Sequence, residues 1–151
     1  MVITKTRERI TPKILLNVEK DLGYKLPKEY RDFLLKFNGG EPSPNKFYFN
    51  DHSNKASNSI VRYFHAVFDT EGYSYDNLMQ IYKSLIKNEI ILPHILPIAS
   101  DPFGNYICIF MEGEYKGKIY FMDHEIGPVE PSYDSLSLIA DTFKHFLNML
   151  Q

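Results

Sequence analysis

A chain of 151 residues with 44% apolar and 15% aromatic content can build one sizeable core but not two comfortable ones, so a single domain over residues 1–151 is expected. A net charge of −2 without a basic run excludes a binder that works by neutralising phosphates, and no apolar run approaches the ~20 residues that span a bilayer. The one cysteine, Cys108, excludes an intramolecular disulfide and a multi-cysteine zinc site; the start "MVITKTRERI" lacks the apolar run of a signal peptide, so cytoplasmic residence is the expectation.

The first helix has Thr11 as its cap, Pro12 at its first position, Ile14, Leu15, Val18 and Leu22 on one face, and Gly23 as its stop. The second lies in "LPKEYRDFLLKFNGGEP", residues 26–42. Pro27 suits the first turn, and Tyr30, Phe33, Leu34 and Phe37 recur at i, i+3, i+4 and i+7. Gly39 and Gly40, after Asn38, can take the left-handed conformation that closes a helix. The aromatic stripe reads as core.

The polar stretch "EPSPNKFYFNDHSNKASNS" predicts a loop, a short strand at residues 47–49 and another loop. Residues 60–68, rich in β-branched and aromatic types, predict a second strand, with Arg62 and His65 on opposite faces. A third helix follows, with Asp76 as its candidate cap and Leu78, Ile81, Tyr82 and Leu85 at helical spacing. Pro93 and Pro97 exclude a further helix there.

"ILPIAS" passes through the turn "SDPFGN" into "NYICIFM", and "EGEYKG" joins this to "KIYFMD", an apolar run of matched length that pairs as an antiparallel hairpin. A final amphipathic helix carries Leu136, Ile139, Phe143, Phe146, Leu147 and Leu150, with Asp134 or Ser135 as its cap. Helices segregated from hairpin-connected strands predict an α+β domain: a mainly antiparallel sheet with about four helices packed against it.

Few residues carry a chemical signal. Cys108 sits in "YICIF", where a buried thiol is expected and not an activated nucleophile, which needs an exposed electropositive setting. Asp123, His124 and Glu125 form "DHE", but consecutive residues of an extended chain point in alternating directions, so they converge on one ion only through a sharp turn. His52, His65 and His94 have no i, i+4 partner of the zinc-protease kind, and no Gly-rich phosphate loop follows a strand. No enzyme, metal or cofactor is expected.

The segments "LGYKLPKEYRDFLLKFNGGEP", "LPIASDPFGNYICIFM", "GKIYFMDHE" and "SLSLIADTFKHFLNML" are individually loose patterns. In this order and spacing they resemble the SUKH superfamily, also called the Smi/Knr-like domain, over about residues 11–150. The size and the wording "GKIYFMDHE" are most similar to small Bacillus immunity proteins of the YobK type. The resemblance implies the SUKH fold and a non-catalytic function: bacterial relatives bind the toxic domain of a secreted polymorphic toxin, often a nuclease, and protect the producing cell. Fungal relatives imply the alternative, an interaction scaffold in cell-wall assembly or signalling. Asp101 and Gly104 match the family pattern, Asn105 stands where Asp is common, and Met122 stands where Trp is frequent. Asp123, His124 and Glu125 match.

Charge indicates what kind of partner to expect. Residues 1–50 hold ten Lys/Arg against six Asp/Glu, whereas residues 101–151 hold three against eight. An acidic C-terminal third suits a basic protein, here a basic nuclease domain of a toxin, without direct nucleic-acid or membrane binding. The expected contact surface is the "SDPFGNY" turn with Asp101, Phe103, Asn105 and Tyr106, plus the "DHE" loop with Asp123, His124 and Glu125. The other role open to Asp101 and Asn105 is to hold their own turn through side-chain to backbone hydrogen bonds.

Overall fold

Period-2 patterning in "YICIF" and "IYFM" builds the middle of the sheet. The computed structural model describes residues 1–70, 72–126 and 133–151. The first half of the chain forms β1 (Val2–Thr4), α1 (Pro12–Leu22), α2 (Lys28–Lys36), β2 (Glu41–Ser43), β3 (Lys46–Asn50), β4 (Ala56–Ile60) and β5 (Tyr63–Phe64). The second half forms α3 (Leu78–Lys87), β6 (Ile95–Ser100), β7 (Tyr106–Phe110), β8 (Ile119–Met122), β9 (Leu136–Ala140) and α4 (Phe143–Met149). Strands β5-β6-β7-β8-β9 form one sheet in that order, every pair antiparallel, while β1-β2 and β3-β4 are separate two-stranded sheets. The α+β class with four helices is therefore as expected.

Register assigns the two faces. Ile107 lies opposite Phe121 and Ile109 opposite Ile119, so these four share one face, while Tyr106 opposite Met122 and Cys108 opposite Tyr120 share the other. The first face meets a run of aromatic rings: Phe121 packs on Phe47 and Phe49, and Phe47 on Phe146 of α4. Phe33 of α2 touches Phe64 and Phe143 at 4.7 and 5.2 Å between ring centroids. The stripe of α2 is core, with one qualification: Phe37 is only partly buried.

Both predicted ends of α1 form. Thr11 accepts a hydrogen bond from the Ile14 backbone N–H at 3.2 Å, and Gly23 takes φ +80° while its N–H donates to Glu19 O. At the end of α2 Gly39 is left-handed as expected, at φ +82°. Asn38 before it is left-handed too, at φ +52°, and its buried amide donates to Glu8 O and Val67 O and accepts from the Val67 N–H. Gly40 serves close approach to β1 instead of helix closure: a Cβ there would stand 2.6 Å from Thr4 O and 2.7 Å from Ile3 Cγ2.

The loops expected on either side of residues 47–49 contain β2 and β4, which pair with β1 and β3, and three further local expectations are corrected. Residues 60–68 are not one strand, because the chain leaves the β3–β4 hairpin at Val61 and joins β6 at Tyr63, switching sheets. Asp76 does not cap α3. Asn77 does, accepting from the Gln80 N–H at 3.1 Å, while the buried Asp76 carboxylate takes two hydrogen bonds from Arg7, at 2.8 and 3.1 Å. A desolvated carboxylate needs a charged partner more than a helix N-terminus needs this one.

The third correction concerns residues 136–150. Leu136 and Ile139 belong to β9, and α4 begins after Thr142, which accepts from the His145 N–H at 3.1 Å, so neither Asp134 nor Ser135 is its cap. Backbone groups of β8 need a ladder partner, and β9 supplies it with Leu136 opposite Met122 and Leu138 opposite Tyr120. The serine alternation in "SLSLIA" was a strand signal overridden by the helical spacing of the larger apolar residues.

Candidate functional site

The turn between β6 and β7 is organised by Asp101. Its Oδ1 accepts from the backbone N–H groups of Phe103 and Asn105 at 2.8 and 2.9 Å; its Oδ2 accepts from Asn105 Nδ2 at 2.9 Å and from Ser59 Oγ at 3.0 Å. With every one of these bonds internal and only 3% of the residue exposed, Asp101 faces inward and holds the turn. Phe103, at the turn's tip, is 72% exposed. Gly104, at φ +93°, lets the backbone turn beneath the His124 ring, where a Cβ would lie 3.5 Å from Cε1.

The "DHE" loop closes on itself as well. Asp123 Oδ1 accepts from the Glu125 N–H at 2.9 Å, and the Ile126 N–H donates to Asp123 O at 3.3 Å. The sharp turn that convergence requires is thus present. Even so, among the described residues no group of three or more His, Cys, Asp or Glu is placed to hold a metal ion.

Turn and loop are joined by one residue pair. Asn105 Oδ1 accepts the His124 backbone N–H at 3.0 Å and the ring Nδ1 at 2.6 Å, an arrangement that requires the proton on Nδ1 because a carbonyl oxygen only accepts. Six of the seven residues expected at the contact surface are left in part or fully exposed: Phe103, His124 and Glu125 openly, Asn105, Tyr106 and Asp123 partly. Asp101 is the exception, and its part is positioning.

Beside this joint lies a groove of about 440 Å³ lined by Leu85, Ile90, Tyr106, Met122 and Ile126 together with the polar Asn88, Glu89, Asp123, His124 and Ser135. Burial pushes the phenol of Tyr106 above its ordinary pKa, which keeps it neutral there. Glu89, Ile90 and Ile126 are contact candidates that sequence reasoning missed. The signal for Ile90 was present, an apolar pair in "KNEIIL" just past the helix end, but only the fold carries it to the end of β8.

Two buried titratable groups elsewhere, His65 and Cys108, are structural. His65 is fully enclosed, with Nδ1 2.7 Å from Pro97 O and Nε2 2.7 Å from Ser100 Oγ, and burial pulls its pKa down to about 4. Cys108 is buried and its thiol pKa is pushed far up by desolvation, so it has no nucleophilic character at neutral pH. No helix among the described residues is long and apolar enough to cross a membrane.

Through Asn105 and His124 the β6–β7 turn is held against the end of β8. The model for the SMI1 / KNR4 family (SUKH-1) covers residues 9–149. The chain belongs to this family. A relative of this SUKH-1 chain is the SPbeta prophage-derived uncharacterized protein YokK of Bacillus subtilis (strain 168), 30% identical over 143 residues, spanning 88% of this chain and 70% of YokK. That name records a prophage origin and no activity.

Proposed function

We propose that this SUKH-1 chain is an immunity protein that binds the toxic domain of a cognate secreted toxin, a basic nuclease domain, and so protects the cell that makes both. It acts by binding and catalyses nothing. The observation that carries the reading is the Asn105–His124 joint: it ties the turn that exposes Phe103 to the loop that exposes Glu125, next to a groove of mixed apolar and polar lining that Asp123 and His124 border. Rigid backing of that kind lowers the ordering cost of association, because the groups are already placed before the partner arrives. Phe103 supplies an aromatic anchor and the carboxylates supply steering toward a basic partner.

The test is protection. Cells expressing the cognate toxin domain survive with the native chain, and the triple variant Phe103→Ala, Asp123→Lys, Glu125→Lys fails to protect while retaining the native melting curve. Full protection by a folded triple variant removes this surface from the interface. Affinity capture with the tagged chain, read by mass spectrometry, tests the wider reading; recovery of wall-synthesis components without a toxin would favour the scaffold role.

A further inference from the structure

Around the opposite end of β7, Phe110 is the hub of an aromatic cluster. Its ring centroid is 4.7 Å from Tyr120, 5.5 Å from His94, 5.7 Å from Tyr133 and 5.8 Å from Tyr115. Phe110 itself is buried, but Tyr115 is 40% and Tyr133 48% exposed, so the rings form the walls of a hollow and not a closed core. The hollow has a volume of about 270 Å³, and two exposed carboxylates, Glu112 and Glu114, complete its lining.

Aromatic faces carry negative quadrupole density, and carboxylates beside them add full charge, so the combination selects a cation that is also flat or greasy. Tyr115 already shows this preference within the chain: Lys118 Nζ stands 5.7 Å from its ring centroid while pairing with Asp141 at 3.2 Å. A hydrogen bond to the Glu114 carboxylate raises the pKa of the Tyr115 phenol and ties that side chain to the carboxylate beside it. The Tyr133 hydroxyl is occupied by His94 Nε2 at 2.8 Å, which orients its ring.

We infer that this hollow receives an arginine side chain of a basic protein partner, its guanidinium stacked on Tyr115 or Tyr133 and paired with Glu112 or Glu114. Arginine fits better than lysine because a planar guanidinium stacks and makes forked hydrogen bonds to a carboxylate, whereas an ammonium is a strongly hydrated point charge. The inference rests on the reading that the partner is a basic protein, and it places a second grip on that partner at the end of β7 away from the Asn105–His124 joint.

The experiment uses the full chain labelled with ¹⁵N and the peptide acetyl-Gly-Arg-Gly-amide, with its citrulline counterpart as the neutral isostere. Saturable shifts are expected at the amides of Gly113, Glu114 and Tyr115, with the citrulline peptide at least about tenfold weaker. The double variant Glu112→Gln, Glu114→Gln, whose side chains are exposed and whose folding is checked by its melting curve, is expected to lose binding by a similar factor. Shifts that fail to saturate, or that are equal for arginine and citrulline or unchanged in the double variant, overturn the inference. Failure here leaves the protection test on Phe103, Asp123 and Glu125 untouched, and failure of that test leaves the peptide result standing, so the two readings fall separately.

Discussion

Asn105 accepts two hydrogen bonds from His124 through Oδ1 while donating one to Asp101 through Nδ2, so a single amide links the buried end of one loop to the exposed start of another. An amide can do both at once, whereas an ionised carboxylate has no donor. Asn105→Asp would keep the two acceptor bonds and set a second carboxylate 2.9 Å from that of Asp101. The expected outcome is a loss of about 1–3 kcal/mol, read as a lower urea midpoint at pH 7 and narrowing as the pH falls and the pair takes up a proton. An unchanged midpoint at pH 7 would show that the amide bond to Asp101 contributes nothing.

Phe33 lies within α2 and Phe37 is the residue that caps its C-terminal end, and their environments differ. Phe33 is 4% exposed and meets Tyr30, Phe64 and Phe143, so Phe33→Ala is expected to cost about 3–5 kcal/mol. Phe37 is partly exposed, and truncating it should cost clearly less. Chemical denaturation of the two variants side by side checks the order; equal losses would contradict the packing described.

Tyr30 is fully buried, and its hydroxyl has no hydrogen-bond partner among the described residues. Burial pushes its pKa far up, so the phenol is neutral and its oxygen simply desolvated. Tyr30→Phe removes that unsatisfied atom and keeps the edge contact with Phe143 at 5.3 Å. Stability is expected to stay level or rise by up to about 1 kcal/mol, measured as a shift in Tm. A drop beyond that range would reveal a partner for the hydroxyl.

Gly40→Ala is expected to be costly for two reasons that act together. At φ +110° an L side chain is strained, and the added Cβ would meet a backbone carbonyl oxygen, Thr4 O, which cannot swing aside as a flexible side chain does. By contrast, Gly23→Ala incurs backbone strain without a clash, because nothing lies within 4 Å of its Cβ position. Comparing the two Tm losses separates strain from close approach, and the larger loss belongs to Gly40.

Acid sensitivity follows from His65. Its folded pKa of about 4 lies below the ordinary 6.5, so between these values the unfolded chain takes up a proton that the folded chain refuses. The stability contribution is complete above pH 6.5 and is lost as the pH falls toward 4, by on the order of 3 kcal/mol over the whole window. Below that range Asp76 adds to the loss: burial opposes its charge, but Arg7 and Ser74 hold its carboxyl below the usual range. Tm measured from pH 8 to 4 should decline for the native chain, and His65→Gln should flatten the upper part of that decline.

Where side-chain period and cap chemistry act within one segment, the sequence alone was enough. Thr11, Pro12 and Gly23 bound α1, the stripe of α2 is buried, and "ILPIAS", "YICIF" and "IYFM" pair as antiparallel neighbours, because each depends on residues only a few positions apart or on a short turn. It also placed the β6–β7 turn and the "DHE" loop as the ends of core strands. Tertiary structure decided what several other polar residues do. Asp76 faces Arg7 across 69 positions instead of capping α3; residues 136–140 become a strand because β8 offers a ladder edge; and of the two roles the sequence left open to Asp101, it takes the one that holds its own turn, with Ser59, 42 positions away, adding the one distant bond. The joining of turn to loop through Asn105 and His124, and the gathering of His94, Phe110, Tyr115 and Tyr133 around one hollow, likewise depend on which distant segments the packed core brings together, and no local pattern encodes that distance.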